Sequence, residues 1–218
     1  MGNIIDRQYL NAIGWRGIRI RKQNIEYLIQ KYAACLQQTS KAVKILDIAS
    51  GHGRYILDAV EHLPTRPESI LLRDYSEINV QAGQQMIAER GLSDIAQFVQ
   101  ADAFDTASLA SIQPKATLAV VSGLYELFSD NSLLNQSLTG LSQAIESGGY
   151  LIYTGQIWHP QQEFIARALS SHRQGDAWVM RLRSQAEMDA LVEQAGFKKI
   201  DQCIDEFGIF TVSVAEKI

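Results

Sequence analysis

Apolar residues follow two rhythms along this chain. Continuous apolar runs at Ile45 to Ile48, Ser69 to Leu72, Ala96 to Gln100, Thr117 to Val121 and Tyr150 to Thr154 read as short strands. Between them the spacing changes to threes and fours, as in Ile56, Leu57, Val60 and Leu63, and again in Leu134, Leu138, Leu141 and Ile145. A weaker helix carries Ile78, Ala82 and Met86, and a last one Met188, Leu191, Val192 and Ala195. Ser76, Asp130 and the capping box Ser184-x-x-Glu187 open these helices, while Gly91, Gly148 and Gly196 close them. Lys199 to Ile204 and Ile209 to Ala215 form two more strands, joined closely enough to pair antiparallel. The pattern predicts an α/β fold, a doubly wound, mostly parallel seven-stranded sheet with a reversed edge strand.

Before the first strand, Ile25, Leu28, Ile29, Tyr32 and Leu36 mark one face of a helix running on from Arg19. Residues 1–42 are thus expected as a helical cap or lid, and residues 43–218 as the main domain with an insertion at about 156–183.

Composition narrows the class. The chain has 218 residues, 46% hydrophobic and 20% charged, the size and balance of one globular domain. A net charge of −4 gives no field to recruit nucleic acid. Cys35 and Cys203 are far apart in the sequence, which excludes a C-x-x-C metal site and fits a reducing, cytoplasmic setting. No apolar stretch is long enough to span a membrane, and no secretory leader is visible.

Candidate chemistry begins in KILDIASGHGRY, residues 44–55. A buried strand breaks into Ala49, Ser50, Gly51, His52 and Gly53 and resumes as a helix, the opening of a nucleotide-binding βαβ unit. The dinucleotide fingerprint G-x-G-x-x-G fails, because Ile56 stands where the third glycine belongs. Asp47 at the strand end would repel a pyrophosphate but would suit an ammonium or a sulfonium. Asp74 ends the second strand, 27 positions after Asp47 (74 minus 47), where such folds accept hydrogen bonds from ribose hydroxyls. Asp102 ends the third strand; it either accepts from an exocyclic amine of a base or caps the next helix.

This series resembles that of the class I S-adenosylmethionine-dependent methyltransferases over roughly residues 43 to 216. DIASGHG, residues 47–53, is similar to the family's acid-x-G-x-G-x-G, with Ala49 where the first glycine is usual. The resemblance implies S-adenosylmethionine as cofactor, S-adenosylhomocysteine as product, and no metal. It implies that the strand-one region (Asp47, Ala49, Ser50, Gly51, Gly53 and Arg54) holds the methionine moiety and Asp74 the ribose hydroxyls, with Tyr75 also among the cofactor-binding residues. Asp102 and Ala103 would meet the adenine, with Ser122 and Arg19 completing the set. GWRGIRIRK, SGLYELF and GQIWHP further resemble a narrower methyltransferase group whose members are sometimes fused behind an α/β-hydrolase domain.

The acceptor side is expected in the loops after the fourth and fifth strands, which hold Tyr125, Glu126, Trp158 and His159. His159 is the candidate general base, with a pKa ordinarily near neutrality, or else a turn residue braced by Pro160; Tyr125 is the second catalytic candidate, or core. The basic cluster Arg16, Arg19, Arg21 and Lys22 is either a solvated helix start or a lid whose arginines meet the cofactor carboxylate. The segment from Gln156 to Arg183 is long for a connection, and mixes Trp158, Phe164 and Trp178 with Arg167, Arg173, Arg181 and Arg183. It predicts a pocket for a small-molecule or lipid-like acceptor with an apolar body and an anionic group. Methylation of RNA or protein, or cofactor binding without chemistry, are the alternatives.

Overall fold

The computed structural model describes residues 10–169 and 178–218. Its seven strands form one sheet in the order β3-β2-β1-β4-β5-β7-β6. They are β1 (Lys44–Ile48), β2 (Ser69–Asp74), β3 (Ala96–Gln100), β4 (Ala116–Val121), β5 (Ile145–Gln156), β6 (Phe197–Ile204) and β7 (Phe210–Lys217). Strands β1 to β5 run parallel; β7 is reversed and inserted between β5 and β6. The helices are α1 (Ile13–Gln38), α2 (Arg54–Glu61), α3 (Glu77–Glu89), α4 (Thr106–Ala110), α5 (Asn131–Ala144), α6 (Gln162–Ala168) and α7 (Gln185–Gln194).

The central strands are largely apolar because helices cover both faces of the sheet. Ile45, Leu118, Val120, Ile152 and Val212 point to one side, where α1, α2 and α3 supply Leu28, Ile29, Leu57 and Val80. Leu46, Ile48, Ala119, Val121 and Leu151 point to the other, onto Leu138 and Leu141 of α5 and Val192 of α7. One-residue alternation along each strand therefore feeds two separate cores.

Helix α1 starts at Ile13, earlier than the apolar spacing from Arg19 predicts. Arg16, Arg19, Arg21 and Lys22 are thus helical residues. They tolerate the helix N-terminal half because partners elsewhere absorb the charge: Arg16 pairs with Glu206, and Lys22 with Glu26 and Asp58. Residues 1–9 of the expected cap lie outside the described residues.

Candidate active site

The sheet order reverses between β1 and β4, and the C-terminal ends of the parallel strands open there into a crevice. The turn after β1 is held in a left-handed shape, with φ of 55° at Ala49, 58° at Gly51 and 71° at Gly53. Gly53 also lies against β2, where a Cβ would come within 2.5 Å of Leu72. Ser50 ties the turn to its neighbours: its N–H donates to the Arg73 carbonyl at 3.0 Å, and its Oγ donates to the Asp47 carbonyl at 3.0 Å.

Ala49 occupies a conformation that costs an L-residue roughly 1–2 kcal/mol, while glycine in its place loses about 0.5–1 kcal/mol through the freer unfolded chain. Ala49→Gly is therefore expected to leave stability within about 1 kcal/mol of the parent, in the favourable direction. Thermal unfolding checks this; a larger loss would mean that the Ala49 methyl, which packs on the α5 side of the core, contributes more than the turn costs it.

Three acids lie along this edge in different states. Asp47 is fully buried, and the Tyr55 hydroxyl donates to both its oxygens, at 2.6 and 2.7 Å. Burial pushes its pKa up to about 7, against the opposing pull of the Tyr55 and Ser50 hydrogen bonds. Asp74 is 8% exposed. Its Oδ2 accepts from Gly51 N–H at 2.8 Å; its Oδ1 accepts from Ser76 N–H at 2.9 Å and from Asn79 Nδ2 at 3.0 Å. A carboxylate has about four acceptor positions, so Asp74 keeps capacity for a ligand hydroxyl. Asp102 is exposed and accepts from Phe104 N–H at 2.9 Å in a local turn, while Asp105 caps α4 instead. Ala103 is buried beside it, Tyr75 is exposed, and Arg54 opens α2 at the surface. This set fits an adenosyl-type ligand: one rigid carboxylate for a diol, a left-handed turn for close backbone approach, and an exposed acid near the third strand.

A cavity of about 290 Å³ lies at the same sheet edge, beyond the ends of β4 and β5 and the start of β7. Its walls come from Gly14, Trp15, Ile18 and Arg21 of α1, Gly123 and Glu126 after β4, Gln156 and His159 after β5, and Phe164, Trp178 and Met180 beyond. Gly14 is required by contact: a Cβ there would lie 2.5 Å from His159 Nε2. Arg21 donates to Glu126 Oε1 at 3.3 Å, stacks on Phe210 with its guanidinium carbon 4.8 Å from the ring centre, and reaches over Gly123.

Several expected site residues fall elsewhere. Tyr125 is in the core; its hydroxyl meets Ser137 Oγ at 3.0 Å, and burial pushes its pKa up. It cannot serve as a pocket acid or base from there. Arg19 is exposed and donates to the Leu10 carbonyl at 2.9 Å, so Arg21 is the arginine of this cluster that faces the crevice. Trp158 is outside the cavity wall, with its indole near Gly208. His159 lines the cavity, but its Nδ1 accepts from Gln161 N–H at 3.1 Å. Burial lowers its pKa, so the ring is neutral and carries its proton on Nε2. That makes His159 a donor rather than a base.

Three of the arginines expected for an anionic acceptor have partners within the protein, although Arg181 Nη1 is buried without one. Arg183 is 5% exposed and donates to the carbonyls of Tyr125 and Phe128, both at 2.7 Å, and to Asn131 Oδ1 at 2.9 Å. Arg181 pairs with Glu187, and Arg167 with Glu163. Arg173 lies outside the described residues. Sequence reasoning also passed over Tyr55 and Gln156 as site residues; only the fold shows that Tyr55, one helical turn after the glycines, folds back onto Asp47.

Among the described residues there is no group of acids, histidines and cysteines able to hold a metal, and no helix long and apolar enough to cross a membrane.

Comparison with known proteins agrees with this geometry. Residues 1–217 match the family described as "Putative methyltransferase". The chain is 56% identical over 214 residues to the uncharacterized protein YnbC of Escherichia coli K12, covering 98% of this chain but only 36% of that longer protein. Among solved structures, it superposes on an S-adenosylmethionine-dependent methyltransferase from Clostridium acetobutylicum with a TM-score of 0.67, at 12% identity, over 99% of this chain and 98% of the other. It also superposes on magnesium protoporphyrin IX methyltransferase from Synechocystis, solved with bound S-adenosylmethionine. That match has a TM-score of 0.65 and 14% identity over 99% of this chain and 96% of the other. The chain thus belongs to this methyltransferase family and has the class I fold, whose methyl donor is S-adenosylmethionine.

Proposed function

We propose that the protein transfers a methyl group from S-adenosylmethionine to a small, largely apolar acceptor held in the cavity over β4 and β5. The observation that carries this reading is the placement of two subsites along one sheet edge. A carboxylate-bearing, glycine-turned crevice lies at β1 to β3, and an aromatic cavity begins at Gly123, directly after β4.

The bound donor would supply a methyl carbon already activated by the sulfonium charge. The chain's own residues then have three tasks. Asp74, held rigid by three donors, positions a ribose diol, and Asp47 with Tyr55 presents a buried acid to the methionine ammonium. Arg21 spans the two subsites: its charge acts on Tyr55 on one side, and it holds Glu126 on the other. The third task is to exclude water, which falls to Trp15, Phe164, Trp178 and Met180. A cavity this small and this apolar favours a free small molecule over an RNA or protein surface. The two free cysteines favour a reducing compartment such as the cytoplasm.

Calorimetry with S-adenosylmethionine, S-adenosylhomocysteine and NAD tests the donor assignment. The two sulfur ligands are expected to bind and NAD not to; binding of NAD alone would overturn the reading. Asp74→Ala should weaken S-adenosylhomocysteine by roughly 1–3 kcal/mol, the cost of leaving ribose hydroxyls without an acceptor. An unchanged affinity would remove Asp74 from the site.

A further inference from the structure

Two buried polar atoms on residues that line the acceptor cavity have no hydrogen-bond partner among the described residues. They are Glu126 Oε2, an acceptor, and Gln156 Nε2, a donor. Their side chains are 7% and 4% exposed, and both residues line the cavity. An unsatisfied buried group is costly, and such a group in a binding cavity marks where a ligand supplies the missing bond. Here one atom of each kind belongs to a residue of the same cavity wall. On this ground, and resting on the reading of the cavity as the acceptor site, we propose that the acceptor presents a neutral hydroxyl to Glu126 and Gln156, attached to an aromatic body.

The alternatives each leave something unmet. A carboxylate could accept from Gln156, but it would face the Glu126 carboxylate. It also brings no proton to Glu126 Oε2, which would stay without a donor. Arg167, Arg181 and Arg183 pair with Glu163, Glu187 and backbone carbonyls, with Arg181 Nη1 buried and unpartnered. An ammonium could donate to Glu126, but it offers Gln156 Nε2 no acceptor. It also gains little net attraction from a carboxylate whose charge Arg21 already balances. A hydroxyl donates and accepts at once, and satisfies both atoms. The cavity walls, with Trp15, Phe164, Trp178 and Phe210, suit a flat aromatic body behind it.

The test uses three probes with one shared body: 2-naphthol, 2-naphthoate and 2-naphthylmethylammonium, titrated calorimetrically into the full chain. The naphthol is expected to bind about tenfold or more tightly than either charged probe. Glu126→Gln should erase the preference for naphthol over naphthoate. Gln156→Leu should weaken naphthol while leaving the ammonium probe no weaker than before, and thermal unfolding would confirm that both variants fold. Equal or tighter binding of a charged probe overturns the proposal, as does failure of all three to bind. The parent protein alone decides this even if a variant does not fold. A parallel titration with S-adenosylhomocysteine separates the two claims. Its failure alongside a naphthol preference removes the donor assignment and leaves the hydroxyl subsite; the reverse pattern removes only the subsite.

Discussion

Arg183→Ala is expected to destabilise the protein by about 3–5 kcal/mol, and to abolish ligand binding in whatever fraction remains folded. The guanidinium is buried and holds the segment after β4 by the carbonyls of Tyr125 and Phe128, and the start of α5 by Asn131. Truncation removes a donor from three acceptors, of which the Tyr125 carbonyl keeps the Phe128 N–H at 3.3 Å, and leaves a void where a long side chain lay. Each orphaned acceptor costs about 1–3 kcal/mol, reduced where water enters. The same segment carries Glu126, so the cavity floor loosens with it. Denaturant unfolding measures the first effect, and titration of the folded variant the second. A loss below about 1 kcal/mol would show that the loop keeps its shape without the arginine.

Asp47→Asn should act in the opposite direction, and should do so only above acidic pH. The Asp47 carboxyl has a folded pKa of about 7 against 3.8 for the free group. Between those values the folded state holds a proton that the unfolded chain has released, so stability falls as pH rises from about 4 through 7. At about 1.36 kcal/mol per tenfold change in proton affinity, the ceiling on this loss is about 4 kcal/mol. Asparagine resembles the protonated acid and does not titrate. The variant should match the parent at low pH and exceed its melting temperature at alkaline pH. Affinity for S-adenosylhomocysteine should drop at the same time, if the charge serves the amino-acid ammonium. A parallel pH dependence in both proteins would refute the assignment of this carboxyl as the strained group.

Much of the architecture could be read from the apolar runs, because strands covered on both sides cannot hide their composition. Ile45 to Ile48 and Thr117 to Val121 have no polar alternation to confuse with a surface strand. The start of α1 was less legible. Its arginines oppose the helix dipole, and only partners such as Glu206, remote in sequence, explain why the helix begins at Ile13. The acids at the strand ends were visible by spacing, but their states were not: burial of Asp47 under Tyr55 needs the folded turn. On the acceptor side, the partners of individual side chains were hidden. Counting arginines cannot show that a buried guanidinium such as that of Arg183 has its charge spread over backbone carbonyls. Tyr125 could be read as catalytic or as core, and the bond between its hydroxyl and Ser137 on α5 places it in the core. Glu126 sits in a three-residue 3-10 turn between two apolar residues, a placement that composition does not rank.

The reversal of β7 fixes where the two ends of the described chain emerge. Phe210 starts that strand beside Gln156 at the cavity, and Lys217 finishes it on the opposite edge of the sheet, where Ile218 N–H reaches the Gly196 carbonyl. The other end behaves differently, since Gly14 and Trp15 at the start of α1 form part of the cavity wall. An affinity tag or a fluorescent partner joined after Ile218 would therefore hang from the rear of the molecule and leave the mouth accessible. The same cargo joined ahead of α1 would stand at the entrance, in the path of any incoming acceptor.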